Sequence, residues 1–398
     1  MLARLLSKRM LPLLFSLGVL TVVVAGEARA CAICFSGTVI TPGQKLDSAD
    51  QAVLAVPSAG QGQFRVIAVV KGNVATDEVI AASAMSLPIA ELVMSLDGQT
   101  AGPKAPPVSD GKPLLLVRGK AFDKWTGVGT IAAEYAGWLR RLAATKRGSD
   151  NQPAKLWPSK VMAGSYLTDA EWRERIAVVV PYLENPEPLA AEIAYGEIMR
   201  APYGAMRTLR SQLDATNIEA WLNDTTLVSR RPVYTLLLGI AGGPENAVEL
   251  EQRIDAALLA RDATNLSAMI AADLELRGPS RVGWLETTYF ADRQRTLPEI
   301  DAALLALSVH GEANAAVPRE RIIEAYRYFI KVRKPMAGFV AMELASWEAW
   351  DATADFVEII RSKAVKDPAG QFAIVSYLKS SPLTAKLARL QPPADQPE

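Results

Sequence analysis

Short apolar runs broken by turn-forming residues characterise residues 31–148. Gly, Pro, Asp and Ser separate these runs, and β-branched side chains are frequent within them. Runs of this length and composition are typical of strands. The sequence therefore predicts a compact antiparallel sheet or barrel, with strands at 52–56, 64–70, 78–82 and 112–117.

One helix is predicted to close this β-rich region, because Ile131, Tyr135, Trp138 and Leu142 recur at a spacing that brings them to one helix face. The segment 127–132 has the pattern GxGxxA, but no good strand precedes it and no acidic residue ends a second strand after it. A nucleotide-binding loop needs both, so we expect a tight turn before the helix instead.

From Thr168 onward the pattern becomes helical. Thr168 and Glu171 form a predicted capping box, in which the hydroxyl and the carboxylate each accept a hydrogen bond from a backbone N–H. That helix is expected to end or kink near Pro181. Further helices are predicted at 186–199, 203–213, 218–222, 232–241, 247–260, 264–276, 281–289, 297–309, 319–332, 337–345, 347–363, 368–380 and 383–390.

Most links between these helices are short, which makes neighbouring helices antiparallel. So many helices cannot surround one core, and stacked helical hairpins in an α-solenoid are the simplest packing. The predicted fold class is α+β and multidomain, a small antiparallel β-barrel or sheet followed by an all-α helical-hairpin array. The predicted boundaries are a signal peptide at 1–30, the β-rich domain at 31–148, a linker at 149–167, the helical domain at 168–390 and a disordered tail at 391–398.

The first residues match a bacterial Sec signal peptide. Basic residues within 4–9 precede an uncharged apolar run at 10–26, and Ala28 and Ala30 supply the small residues that signal peptidase requires. We therefore expect cleavage before Cys31 and a location in the periplasm or outside the cell.

Two alternatives stay open at this terminus. Without cleavage, the apolar run would anchor the chain, and with a lipoprotein signal Cys31 would carry a lipid. Ala28 and Arg29 fit the lipoprotein pattern poorly. No later stretch is long and apolar enough for a second span, so no membrane span is expected after cleavage.

The charge balance argues against a nucleic-acid partner. Lys and Arg together number 43, and so do Asp and Glu. Removal of residues 1–30 takes away four basic residues and one acidic residue, which leaves 39 basic and 42 acidic groups, a net charge of −3. Nucleic-acid binding needs clustered Lys and Arg, so neither nucleic acid nor another partner held mainly by negative charge is expected.

Cys31 and Cys34 are the only cysteines, and they form a CxxC pair at the expected mature N-terminus. Outside the cytoplasm they are expected to close a small disulfide. Thioredoxin-type redox chemistry would need the first thiol at a helix N-terminus, whereas residues 35–39 have a strand or turn pattern. The pair supplies two of the four ligands of a structural zinc site. Redox catalysis and metal binding stay open as alternatives, but no cofactor or metal site is predicted.

His310 is the single histidine and ends a predicted helix. One histidine excludes HExxH and other sites that need two histidines, and no GxSxG motif accompanies it. We expect His310 to interact as a cation with the last carbonyls of its helix. The sequence contains no complete catalytic constellation, so no enzymatic activity is predicted.

Two groups of residues are candidates for a partner surface. Arg230 and Arg231 precede an apolar helix, and their positive charges are suited to binding a carboxylate ligand. Pairing with nearby acidic residues would also explain them. A basic and aromatic stripe runs along 326–334, where a solvated helix face is the alternative interpretation. The residues of the stripe that we single out are Tyr326, Tyr328, Lys331 and Arg333.

Several short motifs of the N-terminal region are similar to those of the netrin-like, or metalloproteinase-inhibitor-like, family. They are the cysteine pair, the segments 49–53 and 64–66, Val70-Lys71-Gly72 and the leucines 114–116. The resemblance covers about residues 31–120 and implies an OB-type β-barrel; inhibitor members of the family present an N-terminal cysteine to a catalytic zinc ion. The spacing here is CxxC rather than the family's CxC, and the family's distant cysteines are missing. The helical region resembles HEAT-like regions of uncharacterised exported bacterial proteins.

Together these observations predict an exported, non-enzymatic binding or scaffold protein whose helical array engages a macromolecular partner, expected to be a protein. One alternative is a periplasmic thiol-redox or metal-handling protein that uses Cys31 and Cys34. Another is a protease-inhibitor-like module that acts through its N-terminus.

Overall fold

A computed structural model describes residues 33, 40–58, 62–85, 111–119, 122–145, 167–311 and 316–384. The predicted signal peptide, both cysteines and the predicted tail lie outside these residues, as does the predicted linker except for Leu167.

The N-terminal region forms an antiparallel sheet preceded by a short helix. Its elements are α1 (Pro42–Ser48), β1 (Gln51–Pro57), β2 (Gln63–Lys71), β3 (Val79–Ala81), β4 (Leu114–Gly119) and β5 (Phe122–Thr130). The strand order is β3-β2-β1-β4-β5, and the sheet curls into a half-barrel. A parallel bridge between Met85 and Trp125 brings the chain after β3 next to β5. The predicted small antiparallel barrel or sheet is confirmed.

The central strands β1 and β4 are buried on both faces. Val53 and Leu116 are paired in register and face the inside of the half-barrel, where they pack with Trp125. Their neighbours Leu54 and Leu115, also paired, point the other way, because successive side chains of a strand alternate between faces. These two residues belong to a larger core that continues into the helices. The sheet and the helical array therefore share one hydrophobic core.

Lys71 and Gly72, at the end of β2, pack against the C-terminal end of α1 and the residues that follow it. The Lys71 ammonium donates hydrogen bonds to carbonyls at the C-terminal end of α1, including that of Asp47 at 3.0 Å. Gly72 has a φ of 81°, and a Cβ there would lie 2.5 Å from the Asp50 carbonyl oxygen. Only glycine fits such a position without strain. These contacts give the Lys-Gly motif of this region a structural role.

Residues 127–132 do not form the predicted tight turn. They begin inside β5, which runs to Thr130, and Gly129 pairs with Leu115 of β4. A Cβ on Gly129 would lie 3.2 Å from the side chain of Leu189. Glycine in a strand often marks such a close approach. The expectation of a turn is therefore wrong, because the glycine serves packing between strand and helix.

The rest of the described chain is helical, as predicted. Its first helix buries Trp138 and Leu142 as the periodicity indicates, but it begins at Ala136 after the 3-10 turn Ala133–Tyr135, so Ile131 lies before it. The α-helices are α2 (Ala136–Ala144), α3 (Asp169–Val179), α4 (Pro188–Arg200), α5 (Tyr203–Arg207), α6 (Ala215–Asn223), α7 (Arg231–Ala241), α8 (Pro244–Ala260), α9 (Leu266–Arg277), α10 (Val282–Leu285), α11 (Leu297–His310), α12 (Arg319–Val332), α13 (Ala341–Ser346), α14 (Thr353–Arg361) and α15 (Pro368–Ser380).

The predicted capping box at the start of α3 is confirmed. Glu171 N donates to Thr168 Oγ1 at 3.3 Å, and Thr168 N donates to Glu171 Oε2 at 2.7 Å. The expected kink at Pro181 is also present, because α3 gives way there to the 3-10 turn Val180–Tyr182.

Four predicted helices are not continuous. The predicted helix 203–213 consists of α5 and the 3-10 turn Arg210–Gln212, and the predicted helix 337–345 spans the 3-10 turn Lys334–Val340 and α13. The predicted helix 281–289 consists of α10 and a π-helix, Glu286–Ala291. The predicted helix 347–363 begins instead with the 3-10 turn Trp350–Ala352 and continues as α14. Within the array, α9 packs against α7, α8 and α11 and is almost entirely buried.

A buried ion network joins α1 to the array. Arg175 Nε donates to Glu197 Oε2 at 2.6 Å, and its Nη2 donates to both carboxylate oxygens of Asp47 at 2.8 Å. Its Nη1 donates to Thr145 Oγ1 at 2.9 Å, and Arg200 binds the other oxygen of Glu197 at 3.1 Å. Every charge of the network therefore has an opposite charge beside it, which compensates for burial.

Candidate functional site

Large apolar side chains are exposed near the C-terminal end of the array. Phe372 and Val375 lie on α15; Phe339 lies on the 3-10 turn Lys334–Val340 and Met342 on α13, two elements that pack against α15. Their exposed fractions are 71% for Phe372, 53% for Met342 and 38% for both Phe339 and Val375. Single exposed apolar residues are common, whereas several that lie together mark interaction sites. Phe372 and Val375 are neighbours on α15, and we call these two residues together with Phe339 and Met342 of the adjacent elements the C-terminal apolar face.

A contact between two glycines holds together the elements that carry this face. A Cβ on Gly338 would lie 2.6 Å from the Gly370 carbonyl oxygen, so the two backbones touch without intervening side chains. The contact fixes the turn that carries Phe339 against the first turn of α15. Phe339 and Phe372 therefore lie on elements that pack directly against each other.

α15 is apolar on two opposite sides. Ala373, Ile374 and Tyr377 point into the core of the array. At about 100° per residue, Phe372 and Val375 lie on the far side of the helix. α15 is the last complete helix among the described residues. Both residues are exposed, so the described residues leave the outer side of α15 uncovered.

A second group of residues is buried between α5, α9 and α11. Glu275 accepts hydrogen bonds from Tyr203 Oη at 3.1 Å, from Arg207 Nε at 2.9 Å and from Arg210 Nη2 at 3.2 Å. The Glu275 side chain is buried, whereas that of Arg210 is 54% exposed, so the group reaches the surface there. The guanidiniums neutralise the carboxylate, which compensates for its removal from water.

His310 lies beside this group and is fully buried. Its Nε2 is 2.8 Å from the carbonyl oxygen of Ala271, which can only accept, so the hydrogen bond assigns the proton to Nε2. Nδ1 lies 4.0 Å from Glu275 Oε2 and has no hydrogen-bond partner among the described residues. Burial lowers the pKa of His310, and the opposing effects of Ala271 and Glu275 are smaller. The expectation that His310 acts as a cation on the last carbonyls of its own helix is wrong, because the ring is fully buried and is bonded to a carbonyl of α9 instead.

Arg230, one of the predicted partner residues, is held by an acidic residue. Glu184 Oε1 accepts hydrogen bonds from Arg230 Nη1 at 2.5 Å and from the hydroxyl of Tyr234. The guanidinium of Arg230 also lies 4.7 Å from the ring centre of Tyr195. Burial and the Glu184 carboxylate raise the pKa of Tyr234. Arg231 is half-buried, and its Nε has no hydrogen-bond partner among the described residues.

The predicted basic and aromatic stripe on α12 is divided between the interior and the surface. Tyr326 is 1% exposed and donates to a backbone carbonyl of α11 at 3.1 Å. Arg333 is also buried and donates to carbonyls at the end of the π-helix, including that of Phe290 at 2.8 Å. Tyr328 and Lys331 are exposed. A single partner surface made of all four residues is therefore wrong for Tyr326 and Arg333, whose side chains are used inside the protein.

Cys31 and Cys34 lie outside the described residues, so their disulfide stays a prediction. Ile33, between them, is described, and it is buried in the core that the sheet and the helices share. Over the ranges that the structure describes, no group of three His, Cys, Asp or Glu side chains is placed to hold a metal ion. In the same ranges, no helix has the length and apolar character needed to cross a bilayer.

Comparison of the chain with protein-family models, with curated proteins and with solved structures found no match. Among the described residues, the C-terminal apolar face is the surface feature that points most directly to a partner.

Proposed function

We propose that this chain is an exported, non-enzymatic scaffold protein whose helical array binds a protein partner through the C-terminal apolar face. The observation that carries the proposal is the exposure of Phe372, with Val375 one turn away on the outer side of α15. Exposed apolar side chains that lie together mark interaction sites. Phe372 and Val375 lie on one side of α15 that the described residues leave uncovered, which favours a partner there.

The size of the exposed side chains is consistent with binding of moderate strength. Complete burial of a large apolar side chain contributes about 1.5–3 kcal/mol. A change of about 1.4 kcal/mol alters a dissociation constant tenfold. Phe372 is the most exposed of the four, so its burial accounts for about one to two orders of magnitude in affinity.

The buried polar groups support a role without catalysis. The carboxylates of Glu197 and Glu275 are each enclosed by arginines of the same chain. A catalytic acid or base needs access to a substrate within hydrogen-bond distance. These carboxylates are instead used to join helices.

The proposal of export rests on the signal-peptide pattern of residues 1–30. For the N-terminal region we propose an OB-type barrel of the netrin-like kind. The strand order β3-β2-β1-β4-β5 and the parallel bridge from Met85 to Trp125 support it. In this arrangement the half-barrel shares its core with the array and supports the array at its N-terminal end.

Site-specific photo-cross-linking in the native envelope tests the proposed function. A photoreactive amino acid in place of Phe372 is expected to cross-link to a protein chain. The matched control is the same amino acid in place of Leu259, which is 89% exposed on α8, away from the C-terminal apolar face. Equal cross-linking at both positions, or none at position 372, would contradict the proposal.

A further inference from the structure

We propose that α5 opens away from α9 and α11 when His310 takes up a proton, so that this part of the array is a pH-sensitive switch. The inference goes beyond the proposed scaffold role and does not depend on it, because it concerns a movement within the chain. Three observations carry it: α5 covers the ring of His310, Nδ1 of that ring has no hydrogen-bond partner among the described residues, and Glu275 alone holds two arginines at α5.

α5 lies directly over the imidazole of His310. The Tyr203 ring of α5 packs edge-on against the imidazole, with 5.3 Å between the ring centres. Both side chains are fully buried. Helices as short as α5 have little stability of their own, so the position of α5 depends on its contacts. Displacement of α5 would expose one side of the imidazole to water.

Glu275 of α9 holds α5 in its closed position. Its Oε2 accepts a hydrogen bond from Tyr203 Oη at 3.1 Å, and its Oε1 accepts one from Arg207 Nε at 2.9 Å. Arg210, in the 3-10 turn that follows α5, donates to the same Oε1 at 3.2 Å. One carboxylate therefore serves two cations and a hydroxyl, and the side chain of Arg210 reaches the solvent.

A proton on His310 disturbs this arrangement. Nε2 already donates to the Ala271 carbonyl, so the proton binds at Nδ1, which faces Glu275 Oε2 at 4.0 Å. The group would then contain three cations and one carboxylate, and the imidazolium would have no contact with water. A buried charge costs free energy unless it is fully compensated. Opening of α5 removes this cost, because water reaches the imidazolium and the arginines move into solvent.

Two charged side chains act on the ring of His310. Burial lowers the pKa of His310 most strongly, Glu275 of α9 raises it and Arg207 of α5 lowers it. The charged residues on the other elements around α11 bind other groups: Arg319 of α12, Glu343 of α13 and Glu286 of the π-helix. The response of α5 to pH therefore depends on the protonation of His310 itself.

The two positions of α5 determine the direction of the response. In the closed position burial holds the pKa of His310 below its ordinary value of 6.5, and in the open position the hydrated ring regains that value. The closed position is therefore favoured above pH 6.5 and loses its advantage as the pH falls from 6.5 toward the lower value. One proton changes the ratio of open to closed molecules by at most about tenfold per pH unit.

Hydrogen exchange of the full mature chain, expressed as protection factors, tests the inference. Between about pH 7.5 and about pH 5.0, the protection of α5 is expected to fall about three- to thirtyfold; one proton allows about thirtyfold at most. At both pH values α5 is expected to be less protected than β1, because it opens without the rest of the chain. His310→Gln keeps a donor for Ala271 and does not titrate, so its α5 protection is expected to be independent of pH.

A second variant tests the hold of Glu275 on α5. The Arg210 side chain is largely exposed, so Arg210→Gln leaves the core intact. We expect this change to lower the protection of α5 by about two- to tenfold at both pH values, because it removes a hydrogen bond between charged groups. The dependence of α5 protection on pH is expected to remain, since His310 is unchanged.

Each of four results would overturn the inference. The first is α5 protection that is the same at both pH values, and the second is an equal fall in His310→Gln. That second result would assign the response to another group, such as Asp273, whose pKa burial raises. The third is unchanged protection in Arg210→Gln, because Glu275 would then not hold α5. The fourth is an α5 as well protected as β1, because α5 would then open only when the whole chain unfolds.

Discussion

His310 Nδ1 and Glu275 Oε2 face each other at 4.0 Å without a hydrogen bond. Because the hydrogen bond to Ala271 assigns the proton to Nε2, both facing atoms are acceptors. A proton on Nδ1 would create an ion pair, but it would also add a charge to a fully buried ring. Arg207, which binds Glu275, further disfavours that charge.

We predict that the stability of the protein depends on the protonation of His310. An unperturbed histidine has a pKa of 6.5, and in the folded protein burial lowers the pKa of His310. Between the folded value and 6.5 the unfolded chain binds more protons, so the free energy of unfolding falls as the pH decreases through this window. Urea unfolding at pH values from about 5 to about 8 measures the slope.

His310→Gln is the matched variant for this prediction. The glutamine amide retains a donor for Ala271 but does not titrate, so this part of the pH dependence is expected to disappear. Since the chain contains one histidine, NMR of isotope-labelled histidine reports on this ring alone. A ring that titrates in the folded protein at or above 6.5 would show that burial does not control its pKa.

We predict that Arg175→Met destabilises the protein by about 3–5 kcal/mol, because it leaves buried Glu197 with less compensation and removes the ion pair with Asp47. Burial raises the pKa of Glu197, but Arg175 and Arg200 together lower it below its ordinary value of 4.5. The double change Arg175→Met and Glu197→Gln is expected to cost less than the sum of the two single changes, since each single change leaves part of the same network without its partner. Urea unfolding of the wild type, both single variants and the double variant tests this non-additivity.

The exposed pair Arg65–Asp77 offers the control. The two side chains are 3.0 Å apart, and both are largely exposed. Arg65→Met is expected to change the free energy of unfolding by less than about 1 kcal/mol, because water screens exposed ion pairs. Equal effects of the changes at Arg65 and Arg175 would mean that burial does not set the strength of the network.

Local signals predicted much of the fold. The capping box at Thr168, the kink at Pro181 and the first four strands depend on nearby residues, and the sequence carries them directly. β5 was not predicted, because Gly127 and Gly129 are typical of turns. Only the structure shows that a helix side chain packs against the strand where Gly129 lies. α1 was missed although Thr41 and Gln44 form a capping box, because the helix is short and packs on distant residues.

The candidate site was less predictable, because it also depends on contacts between residues that are distant in sequence. Phe372 and Val375 are apolar residues of a helix, and apolar helix residues are usually buried. Helix 368–380 has apolar residues on both sides, and only the structure identifies the side that lies in the core. His310 was correctly located at the end of a helix, but its burial depends on α9, whose Ala271 lies 39 residues earlier in the chain.

We predict that the mature protein begins at Cys31 and contains a Cys31–Cys34 disulfide. Intact-mass spectrometry of protein purified from its native envelope is expected to show loss of residues 1–30, and alkylation of two thiols only after reduction. A mass increase of lipid size at Cys31 would contradict the disulfide and the redox and inhibitor alternatives. Alkylation without reductant would indicate free thiols.

We predict that Gly338→Ala destabilises the C-terminal part of the array by about 1–3 kcal/mol, because the added Cβ would meet backbone atoms of Gly370 that cannot move without displacing α15. The control is Gly137→Ala on α2, where a Cβ meets no heavy atom within 4 Å. That change is expected to stabilise the protein by about 0.5–1 kcal/mol, since alanine is the better helix former. Hydrogen exchange is expected to show faster opening of α15 in the Gly338 variant only. Unchanged protection of α15 would mean that the contact between the glycines does not fix the C-terminal apolar face.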